Sequence, residues 1–287
     1  MSLTFVPTPL GNLRDITLRA LEVLRDCDLL VAEDTRVAKR LLSALDLPGK
    51  ELWSYREQNA AGATAAIVDR ARVQSVAVVT DAGTPGISDP GRGLVGAARD
   101  AGVAIEVLPG PSAFVCALVL SGFALDRFAF DGFVPRTAGA RERAFRDAFT
   151  SGRTTAYYEA PNRIVATLAT LEAIDARARF FLARELTKRF EQQILGTAAE
   201  ISAALERPVR GEIVLVLDAS RPERISPSMV RVDEAIDELL LAGQSVASLA
   251  KDLAKRGFGD RSELYRRAVD RKAMHSRESE SMQTGCM

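Results

Sequence analysis

Residues 76–91 read Val-Ala-Val-Val-Thr-Asp-Ala-Gly-Thr-Pro-Gly-Ile-Ser-Asp-Pro-Gly, an apolar run followed by a long loop of glycine and polar residues. Such a run is typical of a strand buried on both faces of a parallel sheet. Residues 91–101 then have a helical pattern. The stretch predicts a strand–loop–helix unit, and open α/β sheets bind ligands beyond the carboxyl ends of their strands. A turn-rich loop that only caps its helix is the alternative interpretation.

Strands and helices alternate on both sides of this stretch. In residues 1–122 the predicted strands lie at 3–8, 29–32, 76–80 and 104–108, and the predicted helices at 17–24, 36–45, 62–73, 91–101 and 112–121. This alternation predicts an α/β domain with a parallel sheet. In residues 123–219 several predicted strands have connections too short for a crossover helix, which predicts a second α/β domain with an antiparallel or mixed sheet.

The last part of the chain has a different composition. Residues 220–228 are rich in serine, proline and arginine, which is typical of a linker. Residues 229–272 contain three short helical patterns, and lysine and arginine outnumber acidic residues in the last two. This excess fits RNA phosphates, but a solvated helix face would have the same composition. The polar tail at 273–287 is predicted to be disordered.

The composition excludes several classes of function. The 287 residues carry 38 Lys+Arg and 38 Asp+Glu, so no overall basic coat for nucleic acid exists, while a local patch remains open. The single histidine, His275, lies near the C-terminus, which excludes Ser-His-Asp triads and histidine-ligated metals from the body of the chain. We expect no metal. With no signal-peptide pattern and no apolar stretch of about 20 residues, we expect a cytoplasmic protein without a membrane span.

Two further loops occupy the same place in the pattern. Residues 7–12 follow the first predicted strand, and residues 108–113 follow the strand at 104–108 and open a helix. Charged clusters follow other predicted strands, in residues 32–36, 157–163, 183–188 and 211–212. Neither GxxxxGK[ST] nor GxGxxG after the first strand is present, which argues against ordinary nucleotide hydrolysis and NAD binding.

Several motifs, in the order in which they occur, resemble those of the ribosomal RNA small-subunit methyltransferase I family. They are VPTPLGNLRDIT at 6–17, AEDTR at 32–36, DAGTPGISDPG at 81–91, PGPSA at 109–113, YEAPNR at 158–163 and RELTK at 184–188. The resemblance covers about residues 3–218 and the short helical segment after them. That family belongs to the tetrapyrrole-methylase, or class III, methyltransferases. The resemblance implies an α/β protein with a parallel-sheet N-terminal domain, a mixed-sheet second domain and a small helical C-terminal segment.

The resemblance also implies a cofactor, a product and partners. The methyl donor would be S-adenosyl-L-methionine, in the cleft between the two domains of a homodimer. The product would be a 2′-O-methylated cytidine in the decoding centre of 16S ribosomal RNA, with the small ribosomal subunit as substrate. The expected cofactor contacts are Leu10, Asp81, Gly83, Thr84, Pro85, Ile87, Ser112 and Ala113 from the first domain, and Tyr158, Glu185 and Glu212 from the second.

Phosphate contacts and a proton acceptor are the two further requirements of this chemistry. Basic side chains pair with phosphates, and a ribose hydroxyl must lose its proton during methylation. The expected RNA-binding residues are Asn12, Arg14, Arg36, Arg56, Asn59, Arg163 and Lys188. With no histidine at hand, the candidates for the general base are Glu33, Asp34, Glu159, Glu185, and Lys188 with a lowered pKa. The sequence does not choose among them.

The chain departs from the family in two segments. Members often carry histidine in the segment that here reads YREQN at 55–59, and Ser-Pro-His where this chain reads APN at 160–162. We expect Arg56, Gln58 and Asn162 to replace those groups as hydrogen-bonding partners. Two rival hypotheses remain open, namely a class III methyltransferase acting on a tetrapyrrole or another small molecule, and a ribosome-binding protein with weakened catalysis.

Overall fold

The computed structural model of the chain describes residues 1–89, 91–218 and 229–284. The predicted linker at 220–228 lies outside these ranges. The described residues form two five-stranded sheets with their helices and a C-terminal group of three helices. This arrangement confirms the predicted fold class. Within the same ranges, no helix has the length and apolar character needed to cross a bilayer.

The first sheet is entirely parallel. Its strands are β1 (Leu3–Phe5), β2 (Leu29–Ala32), β3 (Glu51–Ser54), β4 (Val76–Val79) and β5 (Ile105–Val107), in the order β3-β2-β4-β1-β5. Strand β3 is not among the strands predicted from the sequence. This strand has four residues at the sheet edge, none of them buried, so it lacks the apolar run that marks the central strands.

Helices cover both faces of the first sheet. They are α1 (Leu18–Asp26), α2 (Thr35–Ala44), α3 (Ala60–Val73) and α4 (Gly91–Asp100), with a 3₁₀ turn at Leu13–Asp15. One apolar core lies between the sheet and α1 with α2, and a second lies between the sheet and α3 with α4. Thr17 caps α1, because its Oγ1 accepts the N–H of Ala20 at 3.1 Å.

The second sheet is mixed, as predicted. Its strands are β6 (Phe128–Phe133), β7 (Thr154–Glu159), β8 (Phe180–Arg184), β9 (Gln192–Gly196) and β10 (Ile213–Leu217), in the order β6-β7-β10-β8-β9. Only β6 and β7 pair in parallel, and the other three pairings are antiparallel. The helices α6 (Ala138–Ser151), α7 (Ile164–Ile174) and α8 (Ala198–Ala204) pack on one face of this sheet.

Helix α5 (Ala113–Ser121) covers the other face of the second sheet. Its Ala117 and Leu118 share a buried cluster with Val214 and Val216 of β10. From the sequence this helix is predicted to belong to the domain at 1–122, since it follows β5. In the structure α5 therefore connects the two sheets. It follows β5 of the first sheet in the chain, and its apolar side packs on the second sheet.

Three helices follow the second sheet. They are α9 (Met229–Leu241), α10 (Val246–Lys255) and α11 (Arg261–Thr284), around a small core that includes Ile236, Leu249, Leu253 and Leu264. The last helix extends through Thr284, into the tail at 273–287 for which the sequence predicts disorder. No glycine or proline occurs between residues 261 and 284 to end the helix, although the composition is polar.

Candidate active site

The loops after the parallel strands meet at one edge of the first sheet, as the sequence predicts. Thr8, after β1, and Gly83, after β4, exchange two main-chain hydrogen bonds of 2.9 Å. Thr84 donates its Oγ1 hydrogen to the carbonyl oxygen of Pro111, after β5, at 2.9 Å. Three loops thus lie side by side at the carboxyl ends of β1, β4 and β5, where open α/β sheets bind ligands.

Two glycines permit the close approach of these loops. Gly83 has a φ of +82°, in the left-handed region that favours glycine. A Cβ atom on Gly110 would lie only 2.6 Å from the Cβ of Pro7. The main chain after β5 therefore lies closer to the loop after β1 than any side chain at residue 110 would allow.

The loop after β8 forms the opposite side of the cleft. Asn12 donates its main-chain N–H to Oγ1 of Thr187 at 3.1 Å. A Cβ atom on Gly11 would lie 2.2 Å from Cγ of Lys188, so the lysine stem passes directly over this glycine. The cleft is thus bounded by loops of the first sheet on one side and by residues 187–188 on the other.

An apolar wall lies inside the cleft. Its members belong to one cluster and include the predicted contacts Leu10, Ala113 and Tyr158 together with Phe114 and Leu186. Burial raises the pKa of Tyr158, and this outweighs the opposing hydrogen bond from the Phe114 main chain. The Tyr158 side chain is therefore a neutral, partly apolar surface at physiological pH.

Ser112 occupies the N-cap position of α5, but its side chain makes no capping hydrogen bond. A serine at this position ordinarily satisfies one of the free N–H groups of the first turn. Here the hydroxyl and the positive end of the helix are both placed beside the Thr84–Pro111 contact. The start of α5 can therefore offer hydrogen bonds to a ligand in the cleft.

An acidic groove adjoins the cleft beyond the loops after β2, β3 and β4. Its volume is about 610 Å³, and it is lined by Glu33, Asp34, Arg56, Glu57, Gln58, Asp81, Ser88 and Asp89. Asp81 accepts the main-chain N–H of Asp34 on Oδ1 at 3.2 Å, and Glu33 accepts the hydroxyl of Thr80 on Oε2 at 2.6 Å. Among the described residues, no group of three or more His, Cys, Asp or Glu side chains is arranged to hold a metal ion.

The crowding of carboxylates changes the acidity of two of them. Partial desolvation and the negative charge of Glu33 raise the pKa of Asp81. Burial raises the pKa of Asp89, although its Oδ1 accepts the N–H of Gly91 at 2.8 Å. A carboxylate with a raised pKa in a hollow is a candidate for proton transfer. From the sequence, Asp81 is predicted only as a cofactor contact, because its spatial proximity to Glu33 is not visible there.

The pKa of Asp34 is shifted in the opposite direction from that of Asp81. It caps α2 by accepting the N–H of Arg36 at 2.8 Å, and it pairs with Arg36 at 2.6 Å and Arg56 at 3.3 Å. The hydrogen bonds from Arg36 hold the pKa of Asp34 well below its usual range. So acidic a group is a poor proton acceptor at neutral pH, which argues against Asp34 as the general base. Arg36 and Arg56 lie exposed at the rim of the groove, where phosphates could reach them.

Three charged residues form one network on the side of the cleft that belongs to the second sheet. Lys188 donates from Nζ to Glu185 Oε1 and to Glu212 Oε2, both at 2.9 Å. Burial lowers the pKa of Lys188, but the hydrogen bonds to both glutamates outweigh it, and the net shift is upward. The prediction of a Lys188 base with a lowered pKa is therefore wrong. Burial alone would raise the pKa of Glu185, but the hydrogen bond from Lys188 outweighs it, and the net shift is downward. This carboxylate is therefore a counter-ion and a poor base.

Glu159 is buried and pairs with Arg163, which is partly buried. The Glu159 side chain is 0% exposed, and its Oε2 accepts from Nη2 of Arg163 at 3.2 Å and from the Thr167 hydroxyl. Arg163 also donates to the carbonyl oxygen of Val134. These contacts place Glu159 out of reach of a substrate and occupy the Arg163 guanidinium. Their predicted roles as a base and as an RNA contact are therefore not supported.

The remaining predicted RNA contacts lie on the surface. Arg14 is exposed on the 3₁₀ turn beside the cleft, and Asn12 uses its Oδ1 to accept the N–H of Arg14 at 3.1 Å. Asn59 is exposed but holds the loop after β3, since its amide donates to the Ser54 carbonyl oxygen at 2.8 Å. Asn162 is exposed after β7, whereas Gln58 lines the acidic groove.

Gly211 provides a test of the Glu185–Lys188 network. Its φ is +87°, and a Cβ atom would lie 2.5 Å from Cγ and Cδ of Glu185. We expect Gly211→Ala to displace Glu185, to lower thermal stability and to weaken ligand binding in the cleft. Gly102→Ala is the matched control, since Gly102 also has a positive φ, +68°, but nothing lies within 4 Å of its Cβ position. The backbone strain alone costs about 1–2 kcal/mol, so equal melting temperatures and equal ligand binding in the two variants would contradict this assignment.

Comparisons with known proteins agree on the family. Residues 2–202 match the model of the tetrapyrrole (corrin/porphyrin) methylases. The ribosomal RNA small subunit methyltransferase I of Streptococcus pyogenes serotype M1 is 38% identical over 273 residues, which cover 94% of this chain and 95% of that protein. The protein of the same name from Neisseria meningitidis serogroup B is 43% identical over 227 residues, 78% of each chain.

A solved structure supports the same fold. The crystal structure of diphthine synthase superposes with a TM-score of 0.61 at 17% identity, covering 76% of this chain and 90% of that one. At this level of identity the match concerns the fold alone. The match to the family model and the full-length similarity to the relatives, added to the order of the motifs and the two-sheet cleft, lead to one conclusion. The chain belongs to the tetrapyrrole methylase family and, within it, to the ribosomal RNA small subunit methyltransferase I group.

Proposed function

We propose that this chain is an S-adenosyl-L-methionine-dependent ribosomal RNA methyltransferase. Its acceptor would be the 2′-hydroxyl of a cytidine in the decoding centre of 16S ribosomal RNA, presented by the small ribosomal subunit. The observation that carries the proposal is the similarity to small subunit methyltransferase I proteins over 94% of the chain, which spans both sides of the cleft. The proposal includes a homodimer, which the exposed apolar side chains Val115 and Val119 of α5 support.

The residues of the cleft fit a sulfonium nucleoside. The Ser112 hydroxyl and the amino end of α5 can hydrogen-bond a nucleoside or an amino-acid group, and Leu10, Phe114 and Tyr158 form an apolar surface for a flat ring. Glu185 and Glu212 are negatively charged groups at the same edge, where a cationic donor is favoured. When bound, S-adenosyl-L-methionine supplies an activated methyl group.

Proton removal from the acceptor is assigned to Asp81. Its raised pKa places it nearer the operating pH than an ordinary carboxyl group, which favours general base catalysis. Asp81 lies two residues before Gly83 in the same loop, so the groove that holds it opens next to the cleft. Glu33 keeps the site negative and receives a hydrogen bond from Thr80. Of the base candidates named from the sequence, Glu33 is the one that this arrangement retains, as the partner of Asp81.

Phosphate contacts would come from the exposed cations around these hollows. Arg14 borders the cleft, and Arg36 and Arg56 border the acidic groove. Arg36 and Arg56 share the Asp34 carboxylate, so each retains donors that can face the RNA backbone. Such contacts position the RNA without reading its sequence, and the folded subunit would supply the remaining selectivity.

The test is tritiated methyl transfer to small ribosomal subunits from cells that lack this protein. Naked 16S ribosomal RNA and a tetrapyrrole serve as parallel acceptors. We expect label in the subunit RNA as an alkali-resistant ribose methyl group on one cytidine. Label only in the tetrapyrrole would replace the proposal by the small-molecule hypothesis. Cofactor binding without transfer to any acceptor would favour a ribosome-binding protein with weakened catalysis.

A further inference from the structure

An exposed aromatic side chain lies in the loop that borders the cleft at residues 187–188. Phe190 follows Lys188 and Arg189 in the loop between β8 and β9, and it is 70% exposed. Exposure of most of a phenylalanine side chain to water forgoes the stabilisation that its burial would supply. The guanidinium of Arg189 lies over this ring, with Cζ 5.4 Å from the ring centroid.

The loop that carries Phe190 has a defined shape. Thr187 has a φ of +66°, which is rare for a β-branched residue, and its N–H donates to Oε2 of Glu191 at 2.7 Å. The N–H of Glu191 donates to the carbonyl oxygen of Lys188 at 3.1 Å. The Thr187 hydroxyl also accepts the N–H of Asn12 across the cleft. These hydrogen bonds hold the main chain on both sides of Phe190, whose side chain remains 70% exposed.

Unpaired positive charge accompanies the ring. Arg189, above the ring, and Arg14, across the Asn12–Thr187 contact, are both exposed, and neither forms an ion pair with a described residue. Elsewhere around the two hollows the cations are paired, as with Lys188 and Arg36. An exposed ring with unpaired arginines on both sides is the combination by which proteins hold single-stranded nucleic acid.

We propose that Phe190, with Arg189, stacks a nucleobase of single-stranded RNA at the mouth of the cleft and thereby positions the ribose to be methylated. Phe190 is thus a positioning residue for the proposed methyl transfer, on which this inference rests. The ring supplies a flat apolar surface for the base, and the arginines neutralise the adjoining phosphates. A stacked base fixes the neighbouring ribose, whose hydroxyl would otherwise rotate freely about the RNA backbone.

The first test asks whether residue 190 needs an aromatic ring or only a large apolar side chain. Loss of one stacked base is worth a factor of roughly five to one hundred, so we expect Phe190→Ala and Phe190→Leu to lower kcat/KM for small subunits by about that factor. Phe190→Tyr keeps the ring and should stay within about twofold of the wild type. Leu195→Ala is the matched control, because Leu195 is also an exposed apolar side chain, 50% exposed, on the adjacent strand β9. Equal kinetics of the alanine, leucine and tyrosine variants would overturn the inference while leaving the proposed function intact.

The second test does not depend on catalysis. The Phe190→Trp variant adds a second tryptophan to Trp53, so its fluorescence should exceed that of the wild type. An unstructured oligoribonucleotide of about ten residues should quench this additional fluorescence. Quenching should weaken with added salt, and less steeply when Arg189 is replaced by glutamine. Absence of quenching, or quenching by a tetrapyrrole and not by RNA, would overturn the inference. Wild-type enzyme that binds RNA but methylates none would contradict the proposed function and not the stacking role.

Discussion

Asp81→Asn is expected to lower the rate of methyl transfer by about 10²- to 10⁴-fold, the usual contribution of a general base. Asparagine retains an oxygen that can accept the N–H of Asp34, so the loop keeps its hydrogen bond at 3.2 Å. The loss would appear in kcat, with S-adenosyl-L-methionine binding unchanged by calorimetry. A wild-type rate in this variant would exclude Asp81 as the proton acceptor.

The pH dependence of the rate gives an independent check. A base must be ionised, so the rate of the wild type should fall as the pH falls through the raised pKa of Asp81, above the ordinary value of about 4 for aspartate. Stability should change in the opposite sense. A carboxyl group with a raised folded-state pKa stabilises the fold at low pH and loses that contribution as the pH rises. Asp81→Asn should therefore be at least as stable as the wild type at pH 7.

Asp28 offers the matched control for this prediction. It lies before β2, at the opposite end of the sheet from the groove, and accepts hydrogen bonds from the hydroxyl and N–H of Ser75. These bonds lower the pKa of Asp28, so its contribution to stability is present at neutral pH and lost as the pH falls through that lowered pKa. Asp28→Asn should lose stability at pH 7 and keep its activity, which reverses both outcomes expected for Asp81→Asn.

Glu159→Ala is expected to destabilise the fold by about 3–5 kcal/mol, because removal of one partner of a buried ion pair leaves the other charge without compensation. Glu159 has no exposed side-chain surface, and the Arg163 side chain is 23% exposed. The melting temperature should fall by roughly 6–20 °C in calorimetry or circular dichroism.

The control for Glu159→Ala is a second glutamate in an exposed pair. Glu106 pairs with Arg19, and the side chains of the two are 46% and 58% exposed. Exposed pairs are worth less than about 1 kcal/mol, so Glu106→Ala should change the melting temperature by only a few degrees. Similar losses in the two variants would mean that burial of the Glu159–Arg163 pair does not raise its contribution to stability above that of an exposed pair.

The fold was largely predictable because its signals are local. Apolar runs mark β2, β4 and β10, and turn residues separate them from the helices. Strand β3 was missed, since a half-exposed edge strand has no such run. In the tail at 273–287 the polar composition predicts disorder, whereas no glycine or proline ends helix α11 before Thr284.

The site was predictable in position but less so in role. Motif order and strand ends correctly placed Leu10, Gly83, Thr84 and Ser112 at one cleft. The roles of charged residues depend on their neighbours in space, which are far apart in the sequence. Lys188 meets Glu212 only through the pairing of β8 with β10, and this contact determines the direction of its pKa shift.

The paired hydrogen bonds between Thr8 and Gly83 have a mechanical consequence. This antiparallel bridge lies just beyond the carboxyl ends of β1 and β4 and joins them by two hydrogen bonds of opposite direction. The base of the cleft is therefore stiff. Adaptation to ligands of different size must then come from other parts of the rim, such as residues 55–59, which lie on a single loop after β3. Entry and release of a large substrate would accordingly move this loop, while the base keeps the reacting groups in register throughout the catalytic cycle.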